Sequence, residues 1–160
     1  MFTGIIEAIG SVAAVKNQQG DLTLQINSGA LDLSDVKLGD SIATNGVCLT
    51  VVGLSGHGFI ADVSRESLAH THIERWSAGT KVNLEKAMLP TTRMGGHLVT
   101  GHVDGVGIVK KRSADARSIR FTIEAPAVLR KYIAAKGSVT VDGVSLTANA
   151  LSADGFELNI

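Results

Sequence analysis

At 160 residues the chain is long enough for one medium domain or two small ones. Lys+Arg and Asp+Glu each number 15, so the formal net charge is zero, which argues against a protein that tracks nucleic-acid phosphates. With 44% apolar residues, 18 glycines and only 2 prolines, the composition is globular and excludes a disordered chain. The single cysteine, Cys48, excludes an intrachain disulfide. Met1–Gly20 shows no charged stretch followed by an apolar one, and no apolar run nears the ~20 residues that cross a bilayer. A cytoplasmic protein without a membrane partner is the default expectation.

The first segment of note is Phe2-Thr3-Gly4-Ile5-Ile6-Glu7-Ala8-Ile9-Gly10, because it returns as Val99-Thr100-Gly101-His102-Val103-Asp104-Gly105-Val106-Gly107. Gly4 falls on Gly101, and the same shift carries Asn45-Gly46-Val47-Cys48-Leu49-Thr50 onto Asp142-Gly143-Val144-Ser145-Leu146-Thr147. Leu22, Leu24 and Ile26 fall on Ile119, Phe121 and Ile123, and Gly58-Phe59 on Gly155-Phe156. One register without gaps joins all four blocks, so the chain is a duplication.

In chain order, Asp21–Asn27 alternates polar and apolar residues, the period of a half-buried strand. Ser41–Val52 is β-branched and broken by Asn45-Gly46, a strong hairpin signal. Ser64–His72 predicts a short helix with Ser64 as its N-cap. Met88–His97, with Pro90 and two glycines, reads as the join, and the division expected is residues 1–90 and 91–160. His102 is expected at a strand start. Ser118–Glu124 alternates like its counterpart, Ala125–Ala135 predicts a second helix opened by Pro126, and Ser138–Ala148 carries the second hairpin at Asp142-Gly143. Many short strands at regular spacing predict an all-β fold of two similar barrels or sandwiches. Nothing after Ile160 matches Ser64–Ala87, so the second unit is expected to be open unless a longer chain or a partner supplies the rest.

Chemistry is sought where the two units differ: Ile5, Asn45 and Cys48 in the first stand opposite His102, Asp142 and Ser145 in the second. A scaffold kept twice while reactive groups change suits two related sites with different tasks. Cys48 shares a strand face with Thr50. A lone cysteine is usually an inert buried hydrophobe, and nucleophilic use needs a nearby cation or base. Ser145 and Thr147 alternate onto one face, where their hydroxyls would meet either a heterocycle or backbone groups. His102 replaces an apolar residue, and an imidazole is a side chain that can move protons. Neither His97 and His102 nor His70 and His72 has the cysteine or carboxylate company of a zinc site. Gly95-Gly96 lacks the Gly-Lys-Ser/Thr ending of a phosphate loop.

The opening Met1–Glu7, Asn45–Val51, Met94–Gly105 and Lys136-Gly137 through Asp142–Thr147 resemble riboflavin synthase, and the resemblance covers all 160 residues. It implies two tandem six-stranded Greek-key β-barrels, the second lacking its C-terminal part here. It implies the dismutation of two molecules of 6,7-dimethyl-8-ribityllumazine to riboflavin and 5-amino-6-(ribitylamino)uracil, with no cofactor and no metal. Pteridine contacts are implied at Gly4, Ile5, Ile6, Cys48, Leu49, Thr50, Asp62, Val63, Ser64, Arg65, Glu66 and Ser67, then Gly101, His102, Val103, Lys136, Ser145, Leu146 and Thr147. His102, Ser145 and Thr147 would handle addition and proton transfer, with Cys48 and Ser41 lining the other half. Family members are homotrimers whose active site forms where the first barrel of one subunit meets the second of its neighbour. The family continues with a hydrophobic-Pro-x-Thr-like segment, a late acidic residue and a C-terminal helix that helps hold the trimer, none of them within Met1–Ile160. The rival reading is a non-catalytic lumazine- or flavin-binding antenna protein of the same superfamily, which tends to lose the residues retained here as His97, His102, Ser145, Thr147 and Cys48. With one Trp, one Tyr and zero net charge, a nucleic-acid-binding barrel lacks both stacking platform and basic groove.

Overall fold

The alternating segments become strands whose apolar faces close on one another. The computed structural model describes residues 1–18 and 20–160. In the first half, β1 (Ala8–Gln18), β2 (Asp21–Asn27), β3 (Ser41–Thr44), β4 (Val47–Ser55), β5 (Gly58–Val63) and β6 (Lys81–Lys86) form a closed barrel in the order β1-β2-β5-β4-β3-β6. Closure depends on β6, which pairs antiparallel with β1 on one side and with β3 on the other. Leu22, Leu24 and Ile26 of β2 face Leu49 and Val51 of β4, Phe59, Ala61 and Val63 of β5, and Val82 and Leu84 of β6 in one buried core. Each of these side chains larger than alanine contributes about 1.5–3 kcal/mol of burial. Six strands make a barrel too narrow for a ligand, and side chains fill it.

α1 (Arg65–His70) follows β5, with Ser64 as N-cap accepting from the Ser67 N–H, and a 3-10 turn over Ile73–Arg75 comes next. Leu68, Ile73 and Trp76 join the barrel core, so the helix forms where the sequence places it and is held by packing.

The second half contains β7 (Ile108–Asp115), β8 (Ser118–Glu124), β9 (Ser138–Val141), β10 (Val144–Thr147), β11 (Ala150–Leu151) and β12 (Gly155–Asn159). They form a four-stranded sheet, β11-β12-β8-β7, and a two-stranded ribbon of β9 and β10. The fold is all-β, one closed barrel and one open counterpart. The repeat extends to fine detail. The bulge between Val12 and Ala14 in β1 returns between Val109 and Lys111 in β7. Gly39 N–H donates to the Val51 carbonyl at 2.9 Å, and Lys136 N–H to Ala148 at 2.7 Å. The second sheet, unlike the first, is not closed, with β11 and β7 at its edges.

Both dipeptide turns have positive φ at both residues, 47° and 78° at Asn45-Gly46 and 47° and 85° at Asp142-Gly143. These are the type I′ turns whose twist matches the flanking strands. Two compact units result: Met1–Val103 with Thr140–Val144, and Asp104–Val139 with Ser145–Ile160. Among the described residues no helix is long and apolar enough to cross a membrane.

Two expectations are corrected. Ala125–Ala135 is not an α-helix; only Arg130–Tyr132 coils, as a 3-10 turn. Its bonds run three residues back, Leu129 N–H to Pro126 O and Tyr132 N–H to Leu129 O. Of its apolar residues only Ala125 is fully buried, while Val128 and Tyr132 are over 70% exposed, so too little apolar surface packs to sustain a helix. His102 does not begin a strand. Residues 101–107 lie outside the strands and β7 starts at Ile108, much as Ile5, the counterpart of His102, precedes β1 at Ala8; both follow a glycine of positive φ, Gly4 and Gly101, which turns the chain out of the extended conformation.

Candidate functional site

The β3–β4 hairpin sets the site. Its turn fixes the register, with Ser41 opposite Thr50 and Ala43 opposite Cys48. Strand alternation sends Ile42, Leu49 and Val51 into the core and leaves Ser41, Ala43, Cys48 and Thr50 on the outer face of the barrel. Ser41, Cys48 and Thr50 are thus brought together on two adjacent strands. Leu49 is 2% and Val63 1% exposed, so any contact they make with a ligand is through their backbone.

Two extended segments lie against this outer face. Phe2 and Val99, which occupy the same place in their repeats, form an antiparallel bridge with bonds of 2.8 and 3.0 Å. Phe2, Ala43 and Val99 make a small buried cluster to which Cys48 and Ala87 add. His97 N–H donates to the Thr3 carbonyl at 3.0 Å, and Cys48 N–H to the Gly101 carbonyl at 2.9 Å. Gly101 has φ +79°, and a Cβ there would stand 2.7 Å from that of Cys48, so only glycine allows this approach. His102, next in the chain, is exposed, its N–H bonded to the Thr100 hydroxyl at 3.2 Å; Val103 is half-buried. Gly4 is buried, Ile5 about half exposed and Ile6 half-buried.

Asp62 is exposed on β5 and accepts from the Thr23 hydroxyl at 2.7 Å. Ser64, Arg65, Glu66 and Ser67 follow at the start of α1, with Glu66 3.1 Å from His70. The remaining candidates lie in the second unit. Ser145 and Leu146 are half-buried and Thr147 exposed on β10, while Lys136 precedes β9 with its ammonium 3.5 Å from Asn149 Oδ1. A groove of about 450 Å³ beside Asn27, Ser28, Asp32 and His57 contains none of these residues.

Sequence reasoning missed Glu85. It is 3% exposed, and its carboxylate accepts from Thr3 N–H and Thr3 hydroxyl, each at 2.6 Å, and from Gly4 N–H at 3.0 Å. Alternation along β6 puts it on the outer face, which usually means solvent; only the long-range return of Phe2–Gly4 buries it. The neighbouring Lys86 ammonium lies 2.6 Å from Asp35, and this hydrogen bond raises the lysine pKa and lowers the aspartate's.

The lumazine-binding domain family matches residues 3–87 and 100–160. The riboflavin synthase of Photobacterium phosphoreum is 52% identical over 160 residues, all of this chain and 73% of that protein. The chain belongs to the riboflavin synthase family. The riboflavin synthase of Bacillus subtilis (strain 168) is 40% identical over 160 residues, covering all of this chain and 74% of its own. Among solved structures, LumP complexed with riboflavin gives a TM-score of 0.89 at 26% identity, covering all of this chain and 85% of LumP. LumP complexed with 6,7-dimethyl-8-(1'-D-ribityl) lumazine gives 0.86 at the same identity and coverage. Membership of the riboflavin synthase family agrees with the duplicated β architecture.

Proposed function

We propose that this protein binds 6,7-dimethyl-8-ribityllumazine and, assembled as a cytoplasmic homotrimer, transfers a four-carbon unit between two such molecules. Riboflavin and 5-amino-6-(ribitylamino)uracil leave. The observation that carries this reading is the packing of Gly101 onto Cys48, which sets the His102 loop beside the outer face bearing Ser41, Cys48 and Thr50. One lumazine rests on this face with Gly4, Ile5 and Ile6 at its rim and the Asp62–Ser67 segment beside it. Lys136, Ser145, Leu146 and Thr147 serve the other. The division into lobes 1–90 and 91–160 follows the repeat.

Holding two heterocycles in opposed orientation replaces a bimolecular encounter with a positioned one, and effective molarity then supplies part of the acceleration. One lumazine loses a proton from its C7 methyl while the other accepts a nucleophile at C7. His102, exposed beside this face, moves the proton, and the hydroxyls of Ser145 and Thr147 assist addition. Cys48 and Ser41 line the first half-site. The test is to incubate the chain with 6,7-dimethyl-8-ribityllumazine and follow riboflavin fluorescence. Conversion is expected, with His102→Gln slowing turnover by roughly 10²-fold or more. Tight binding without conversion would make the chain a lumazine carrier, and conversion unchanged in His102→Gln would remove the imidazole from the mechanism.

A further inference from the structure

Glu85 is an unusual residue with which to close a barrel. A buried carboxylate is costly where an apolar side chain of similar size would seal the same space. All three of its bonds go to two consecutive residues, Thr3 and Gly4. Gly4 has φ +76°, a left-handed turn that brings the Ile5 N–H back toward the Thr3 hydroxyl. The Thr3 hydroxyl, while donating to Glu85, also accepts from the Ile5 N–H at 3.2 Å. Carboxylate, hydroxyl and Ile5 amide thus form a relay that ends on the residue at the rim of the candidate site.

Ile5 remains 48% exposed on this tightly held turn. An apolar side chain presented to water on a rigid loop is suited to a flat ligand that covers it. The second repeat of the sequence has the same turn, with Gly101 at φ +79° and the His102 N–H on the Thr100 hydroxyl at 3.2 Å. The turn is therefore intrinsic to the repeat, and the carboxylate from β6 is what the first repeat adds to it.

We propose that Glu85 is a positioning residue that holds the Thr3–Ile6 turn in the shape that receives a pteridine in the first unit. This deepens the lumazine-binding reading above and rests on it. Glutamine at 85 keeps the size but turns an amide N–H₂ toward N–H or O–H donors, so at least one buried donor loses its acceptor.

The experiment measures lumazine affinity by fluorescence titration and thermal unfolding by circular dichroism, on the full chain and on Glu85→Gln, Thr3→Val and Thr3→Ser. The expected result is about tenfold weaker binding for Glu85→Gln and Thr3→Val at a temperature where both are folded, with affinity retained in Thr3→Ser. The double variant Glu85→Gln/Thr3→Val should bind little worse than either single one, because the two act through one relay. If Glu85→Gln does not fold, Thr3→Val carries the test, since it leaves the carboxylate in place. Lower melting temperatures with unchanged affinity would overturn the proposal and leave Glu85 a structural residue. Binding by the unmodified chain with equal affinity in every variant would overturn it while sparing the lumazine reading. No binding by the unmodified chain would overturn both.

Discussion

Lys136 shows most clearly how the two repeats diverge at single residues. It has φ +63° and occupies the place of Gly39, φ +91°, with the same backbone bond across to the neighbouring strand. An L-residue in this region costs about 1–2 kcal/mol, which glycine would not incur. Strain of this kind persists where the side chain serves a purpose, here the lumazine contact proposed for its ammonium. Lys136→Gly is therefore expected to raise stability by about 1 kcal/mol in urea titration while weakening lumazine binding. A variant less stable than the parent would mean that the aliphatic stem packs more than the turn strains.

Hairpins are the elements on which the site is built, and they were the most legible parts of the sequence. Asn45-Gly46 and Asp142-Gly143 announce type I′ turns, and the turn alone sets Ser41 opposite Thr50 and Ala43 opposite Cys48. Alternation even tells which candidates face inward, Leu49 and Val63 among them. What alternation does not reveal is a second layer over an outer face, so Glu85 reads as a solvent-facing residue. The duplicated backbone also shares its loops: Ser28–Leu38, the counterpart of Ala125–Ala135, is likewise a looped segment of i to i−3 turns.

At the β7–β8 hairpin, Asp115 Oδ2 accepts from Arg120 Nη2 at 2.8 Å, Arg120 Nε at 3.2 Å and Asn159 Nδ2 at 2.9 Å. The arginine first and the asparagine second hold the Asp115 carboxyl below its ordinary value. A depressed pKa contributes stability that is complete above the unfolded value, about 3.9, and is lost as pH falls through the folded one. The Asp115→Asn variant should therefore show a shallower loss of stability on acidification below about pH 4 than the parent, and no difference in slope between pH 6 and 8. Parallel acid profiles would show the exposed pair to be idle, as many surface ion pairs are.

For the whole molecule, closure is the property that separates the two units. In the first, β6 leaves no strand edge free, and the apolar side chains of all six strands meet in one core. In the second, Ile108 and Val109 on β7 are both over half exposed, and the buried apolar residues come down to Ile123, Ala125, Ala148, Phe156 and Leu158. Local opening is governed by buried apolar contact and by the solvent exposure of backbone bonds, so the units should open with different free energies. Hydrogen exchange at neutral pH is expected to protect Leu22–Ile26 and Phe59–Val63 longest, because these adjacent strands of the closed barrel carry Leu24, Ile26, Phe59, Ala61 and Val63, all fully buried in its core. Amides of β7 and β11, at the edges of the open sheet, should exchange at least tenfold faster. Among second-unit strands, β8 and β12 should be slowest, since each is paired on both sides and carries part of the small core. Equal protection in the two units would mean that something other than the chain's own strands, such as association between copies, shields the open sheet; repeating the exchange on a tenfold more dilute sample would then reveal it as a concentration-dependent loss of protection confined to Ile108–Asp115 and its neighbours.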